Sequence, residues 1–301
     1  MADRLAELES KRLKVVAQTK KDYRNGIFGL LGILLGVIFL LVLPQVPFLA
    51  ILCFIGGVIT VAFFFGKAGA KIMNLKAELK KDLVTTLLEE EFEGVVYDPK
   101  GYISVETIMS TRTVKKPDRF TGEDYIRGHY KGVQFEVSDV DLKERHVHRD
   151  SHGNTHVTYE TYFKGRWYVY TFDKDFHKVL KIMESQSPMF SNQGLVKVET
   201  ESIQFNKKFN VYASDLEFGF YHITPSMIEK LMTFEQMHRG SILYCFRNNE
   251  LHIGVDDKKD YMEVSYRTPI TKETLGGLLD QIELLPAVIN EFRLDSSKFK
   301  K

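Results

Sequence analysis

Residues 26–65 read GIFGLLGILLGVIFLLVL (26–43), PQVP (44–47) and FLAILCFIGGVITVAFFF (48–65). The first run carries no charged residue from Gly26 to Leu43, and the second none from Phe48 to Phe65. As helices, 18 residues rise about 27 Å, close to the hydrocarbon thickness of a bilayer. One continuous helix would be far longer than a membrane needs. Proline lacks a backbone donor and biases the residue before it away from the helical region. Pro44 and Pro47 therefore end one span and begin another, and the pair reads as a transmembrane hairpin. A cleaved signal peptide fits poorly, because a basic segment of about 25 residues precedes the run and a second run follows at once. A buried hairpin of a soluble core is the plain alternative, and two consecutive charge-free runs of this length argue against it.

The flanks orient the hairpin. Lys11, Arg12, Lys14, Lys20, Lys21 and Arg24 precede it, and Lys67, Lys71, Lys76, Lys80 and Lys81 follow it, while the turn carries no charge. The positive-inside rule places both ends, and the bulk of the chain, in the cytoplasm. Residues 1–81 hold 12 Lys/Arg against 5 Asp/Glu, and the remainder 29 against 35. A basic anchor joined to a mildly acidic domain fits a membrane-tethered module. It excludes a nucleic-acid binder, whose positive charge belongs on its folded domain. The two cysteines, Cys53 in the second run and Cys245 in a strand-like segment, are expected to stay unpaired in a reducing compartment. Gly29, Gly32 and Gly36 fall near one helical face, with Gly56-Gly57 at mid-depth opposite, so the glycines are expected to pack the hairpin on itself rather than make a dimer. No ionisable side chain lies in either span, which leaves a proton or ion path without support.

Residues 1–25 form a basic amphipathic helix, 26–66 the two-span hairpin and 67–93 a helical stalk with Ile72, Leu75, Leu79, Leu83 and Leu87 at helical spacing. Because the hairpin returns the chain to one side, the two basic helices are expected to pair. Beyond Gly94 the pattern turns mainly to strands, with hairpins expected around Lys131-Gly132, Lys164-Gly165 and Asn248-Asn249. Helices are expected at about 225–238, opened by Thr224-Pro225, and at about 271–293. The Ser/Pro/Gln-rich stretch 184–194 reads as a linker between two α+β lobes, 95–183 and 195–295. The fold class is α+β, a helical hairpin followed by antiparallel β-hairpins with packed helices. A Rossmann-type fold does not fit consecutive antiparallel hairpins.

The passages GEDYIRGHYKGVQFEVSDVDLKER (122–145), TYFKGRWYVYTFDKDF (161–176) and ESIQFNKKFNVYASDLEFGFYHITPSMIEKLM (201–232) resemble a bacterial family of membrane proteins known only as a domain of unknown function. The most specific part runs from Phe205 through Tyr212 with Asp215 and the Ile223-Thr224-Pro225 helix start. The resemblance implies two membrane spans in the bacterial cytoplasmic membrane and a cytosolic α+β domain. It supplies no activity and no catalytic residue.

The conspicuous cluster of chemical groups is RHVHRDSHGNTHVTY (145–159), with His146, His148, His152 and His156 and Asp150 among them. In a hairpin turning near Gly153, His146 and His148 share a strand face, and neutral imidazoles so placed could bind Zn²⁺ or Ni²⁺. The spacing matches no metal signature, and a solvated histidine-rich tip is the reading it favours. No GxxxxGK, GxGxxG, HExxH or GxSxG motif occurs. The Asp139/Asp141 and Asp173/Asp175 pairs sit at strand ends, where turn or surface roles prevail. The reading is thus a non-enzymatic, membrane-anchored binding or scaffold module that recruits a protein partner at the inner leaflet, with lipid contact as a weaker variant. The competing reading is a metal-dependent hydrolase or metal sensor at the histidine tip. The oligomeric state is left open.

Overall fold

A computed structural model describes residues 2–300 except 43, 44, 46, 152, 185–191, 193, 238, 239, 260, 261, 263, 264 and 272. The chain forms two compact units, Met1–Thr86 with Glu263–Gly276, and Leu87–Met262 with Gly277–Lys301.

The first unit is built on two helices, α1 (Ala2–Val42) and α2 (Pro47–Glu89). The amphipathic segment and the first apolar run are one continuous helix, and so are the second run and the stalk, since no proline interrupts either. Pro47 is the first residue of α2, where its missing N–H would have found no helical partner anyway. Glycines make the seam between the helices. A Cβ on Gly29 would lie 2.8 Å from the Gly57 carbonyl oxygen, and one on Gly57 would lie 2.6 Å from the Gly29 oxygen. Gly36 sits as tightly on Ala50 and Phe54. Backbones this close exclude any side chain, so the small residues serve packing within the hairpin, as the sequence suggests. The basic ends pair as well. Lys71 Nζ lies 2.7 Å from Asp22 Oδ2, and Lys11 binds Glu78. Segment 265–271 is strapped to α1, where Arg12 donates to the Tyr266 carbonyl at 3.0 Å and Glu9 accepts from the Ile270 N–H at 2.9 Å. Arg12 in turn binds Glu9, and this bond holds the Glu9 carboxyl below its ordinary pKa.

The second unit is a nine-stranded, wholly antiparallel sheet. Its strands are β1 (Glu93–Asp98), β2 (Arg119–Tyr130), β3 (Val133–Arg149), β4 (Thr155–Thr171), β5 (Val179–Glu184), β6 (Val196–Val198), β7 (Phe209–Ala213), β8 (Ser241–Arg247) and β9 (Glu250–Asp256). Their order is β1-β2-β3-β4-β9-β8-β5-β7-β6. The helices are α3 (Val105–Ser110), α4 (Ile203–Lys208), α5 (Leu216–His222), α6 (Pro225–Met237) and α7 (Gly276–Phe292).

Two hairpins lie where expected. Lys131 and Gly132, with φ +52° and +79°, join β2 to β3, and Asn248 (φ +53°) opens the turn from β8 to β9. The third does not exist. Lys164-Gly165 lies inside β4, a single 17-residue strand. Its glycine answers a different demand: a Cβ on Gly165 would come 2.1 Å from the Val255 carbonyl oxygen of β9. The division into two lobes is likewise replaced by one sheet. β9 pairs with β4 from Gly165↔Asp256 to Thr171↔Glu250, so residues assigned to separate lobes share one hydrogen-bond ladder. Helix α6 starts at Pro225 with the Thr224 hydroxyl accepting from the Met227 N–H. Helix α7 starts later than expected, at Gly276, because the Thr271 and Thr274 hydroxyls close a turn ahead of it.

Side chains alternate across the sheet into two cores. One face carries Val140, Leu142, Phe163, Trp167 and Val169, covered by Ile103, Ile108 and Val114 from the α3 segment. On the other, Tyr244 and Phe246 meet Phe292 of α7, which stacks on Phe234 of α6. Further along, His222 at the end of α5 sits among Phe176, Phe218 and Tyr221. Its Nδ1 donates to the Phe218 carbonyl at 3.0 Å. Burial pushes the His222 pKa down from 6.5 to about 4, and Lys174 and Lys298 oppose its protonation further. The unfolded chain therefore takes up the proton first, and stability falls as pH drops from 6.5 to about 4. His222→Leu removes up to about 3 kcal/mol of this acid sensitivity. Urea melts of the full chain in detergent at pH 7.5 and pH 4.5 measure the difference.

Candidate functional site

The β2 ladder ends at Arg119↔Lys143, while β3 and β4 continue pairing to Arg149↔Thr155. Residues 144–149 and 155–160 thus form a two-stranded ribbon beyond the sheet. A bulge between Leu142 and Lys143 precedes it, and bulges re-aim the side chains that follow. An isolated ribbon gains little stability of its own.

One ribbon face carries His146 and His148, with His156 directly across from His148. The His146 and His148 rings stack with centroids 6.4 Å apart. Each of two imidazoles has its own carboxylate, however. His146 Nε2 is 3.3 Å from Glu160 and His156 Nε2 is 3.2 Å from Asp150. The structure thus brings three of the four sequence candidates to one face, and His152 lies outside the described residues. Among the described residues, no three His, Cys, Asp or Glu side chains converge on a metal position. The opposite face shows exposed Val147, Val157 and Tyr159, with Arg145 opposite Tyr159 and the Arg119 guanidinium 4.4 Å over its ring. Aromatic and arginine side chains beside apolar ones are the composition that protein interfaces favour.

A buried row on the sheet resembles a nucleophilic triad in composition. Cys245 on β8 is the register partner of His252 on β9, and Glu250 lies two residues away. The hydrogen bonds deny it that chemistry. His252 Nδ1 accepts from Trp167 Nε1 at 3.3 Å, and His252 Nε2 donates to Glu250 at 3.0 Å. Both ring nitrogens are engaged, so neither can serve as base for the thiol. Cys245 is fully buried beside the Thr111 carbonyl, and burial pushes its pKa up to about 12.

The Asp139/Asp141 pair lines a cleft of about 210 Å³ with Thr121, Glu123, Lys164 and Lys259. Both carboxylates are engaged. Arg166 Nε donates to Asp139 Oδ1 at 2.8 Å within the interior, and Asp141 accepts from Thr161 at 2.9 Å and faces Lys143 at 3.1 Å. Arg166 also hydrogen-bonds Tyr168, and nearby Tyr97 donates to Asp124 at 2.7 Å. Sequence reasoning did not find Arg166, whose role depends on the register that puts it across from Asp139. This network balances charge in a low-dielectric interior and leaves no carboxylate pair for acid–base work.

Residues 161–294 match a protein family described as a protein of unknown function (DUF3137). The match begins just past the ribbon and runs through α7. No curated protein matches the chain. Among solved structures the chain is similar to the mycobacterial trehalose monomycolate transport factor A, TtfA, at 9% identity and a TM-score of 0.40, over 69% of this chain and 93% of that one.

The buried thiol generates a direct expectation. Iodoacetamide at pH 8 leaves Cys245 unmodified in the folded protein and labels it fully in 6 M guanidinium, as read by peptide mass spectrometry. Fast labelling of the native thiol would restore it as a nucleophile.

Proposed function

We propose that the chain is a two-span, membrane-anchored binding module of the bacterial cytoplasmic membrane, whose sheet unit lies in the cytosol and recruits a protein partner at the inner leaflet. The observation that carries this reading is the surface of α1 and α2. Their most apolar windows are only 17% and 11% buried, with Leu30, Leu34, Leu41, Phe48, Ile55 and Phe63 exposed. Water would not tolerate so large an apolar surface, whereas lipid would. The glycine seam explains how two such helices stay together with no hydrophobic drive between them. Basic residues at both outer ends support cytosolic placement of everything but the two spans and the turn between them.

The docking element in this reading is the β3–β4 ribbon. Its arginine and apolar face suits a partner with a carboxylate-rich surface around an apolar spot. The absence of a free nucleophile–base pair at the Cys245 row supports binding over catalysis. In sealed cells, external protease is expected to spare the region beyond residue 95, and carbonate-washed membranes are expected to retain the chain. Crosslinking in cells is expected to yield a defined protein adduct that Arg145→Glu/Arg149→Glu reduces at least tenfold. Digestion from outside, release by carbonate or an adduct indifferent to the ribbon would each overturn a part of the proposal.

The second reading, a metal sensor or metal-dependent hydrolase, draws on His146, His148 and His156 sharing one face. Stoichiometric zinc in the purified protein, lost in His146→Ala/His148→Ala, would favour it. A metal-free protein with an intact ribbon would remove it.

A further inference from the structure

Helices α6 and α7 leave a groove between them. It has a volume of about 320 Å³ and is lined by Glu229, Lys230, Thr233, Phe234, Ala287 and Glu291, all from these two helices. Phe234 is buried at its floor, where it stacks on Phe292. Ala287, one helical turn before Glu291, has a single methyl group and leaves the space beside Phe234 unfilled. An apolar floor is thus open to solvent between two acidic walls.

The charge around the groove is one-sided. The acidic side chains of α6 and α7 are Glu229, Glu235, Asp280, Glu283 and Glu291, and the one cation within the two helices is Lys230. Glu235 is paired with Lys208, and Lys230 reaches across to the Glu291 carbonyl. Lys131, from the turn between β2 and β3, is engaged on Asn290 at 2.6 Å. Arg293 lies one residue past α7, and with it counted the two helices remain acidic. Glu229 and Glu291 themselves are exposed.

The complementary surface belongs to the same molecule. On the ribbon face away from the histidines, Arg145 lies across from Tyr159, Val147 from Val157 and Arg149 from Thr155, so neither strand contributes a carboxylate to it. Asp118, at the base of the ribbon, accepts from the Arg145 N–H at 2.8 Å. Val147 and Val157 are 54% and 42% exposed, and the groove is lined by α6 and α7 alone, so the two surfaces do not meet within one chain.

We propose that the α6–α7 groove receives the β3–β4 ribbon of a second copy of the chain. This rests on the reading of the ribbon as the docking element and names its partner. The Val147–Val157 pair covers Phe234 and Ala287, while Arg145 and Arg149 on either side meet the carboxylates of Glu229 and Glu291. An apolar centre inside a charged rim is the common plan of protein interfaces. Because the contact joins two unlike surfaces, each pair keeps a free ribbon at one end and a free groove at the other. Assembly therefore continues to a ring or a chain rather than stopping at a two-fold dimer.

Light scattering of the full-length protein in detergent, as a function of protein concentration, tests this. The protein mass is expected to rise past that of a dimer. Arg145→Glu/Arg149→Glu and Glu229→Arg/Glu291→Arg are each expected to weaken association at least tenfold. All four side chains are exposed, and Lys230 binds the backbone carbonyl of Glu291, so both variants are expected to keep the unchanged protein's Tm. All four substitutions in one chain restore opposite charges across the contact and are expected to recover association, which loss of charge alone would not do. A protein that keeps the protomer mass at every concentration, association indifferent to the groove variant, or no recovery in the combined variant overturns the proposal. A protomer whose cellular adduct still depends on Arg145 and Arg149 overturns it while sparing the ribbon reading, with a different protein as occupant. An adduct indifferent to the ribbon removes both.

Discussion

The second unit depends on the pairing of β3 with β4. Both strands are 17 residues long, and their ladder runs from Gln134↔Thr171 to Arg149↔Thr155. β4 then offers its other edge to β9, which brings β8, β5, β7 and β6 in turn. Loss of that second edge would split the sheet. The constraint at the junction is Gly165, where the β9 backbone approaches too closely for any side chain. A one-residue slip would carry Trp167 and Phe163 off the α3 face and break the Asp139–Arg166 pair, so register is held by packing and charge together.

Several polar groups of the interior meet a specific partner. Arg166 has Asp139, Tyr97 has Asp124, and His252 bridges Trp167 and Glu250. Such pairings lower the cost of desolvation and fix register, and for the same reason they withdraw these residues from chemistry. The ribbon leaves apolar and arginine side chains in solvent.

The anchor and the sheet solve different problems in different solvents. Within the apolar runs of α1 and α2 most leucines are exposed while Gly29, Gly36 and Gly57 form the seam, the inverse of a soluble helix pair. In the sheet unit the large aromatics Trp167, Tyr170, Phe205 and Phe246 are fully buried. A chain with 44% hydrophobic residues can hold both arrangements because the apolar residues are segregated along its length.

That segregation is what the sequence determined by itself. Length, charge-free runs, two prolines and flanking lysines are local signals, and they suffice for two helices and a turn. Short hairpins at Lys131-Gly132 and Asn248-Asn249 were equally legible, because a two-residue turn needs only its own residues. The Lys164-Gly165 pair looked the same and meant something else, since nothing in the chain nearby announces that β9 will press against Gly165. The merging of two expected lobes into one sheet and the meeting of Asp139 with Arg166 were decided only by tertiary structure. Each joins residues far apart in the chain, and their proximity is set by strand order and register, which no local pattern encodes.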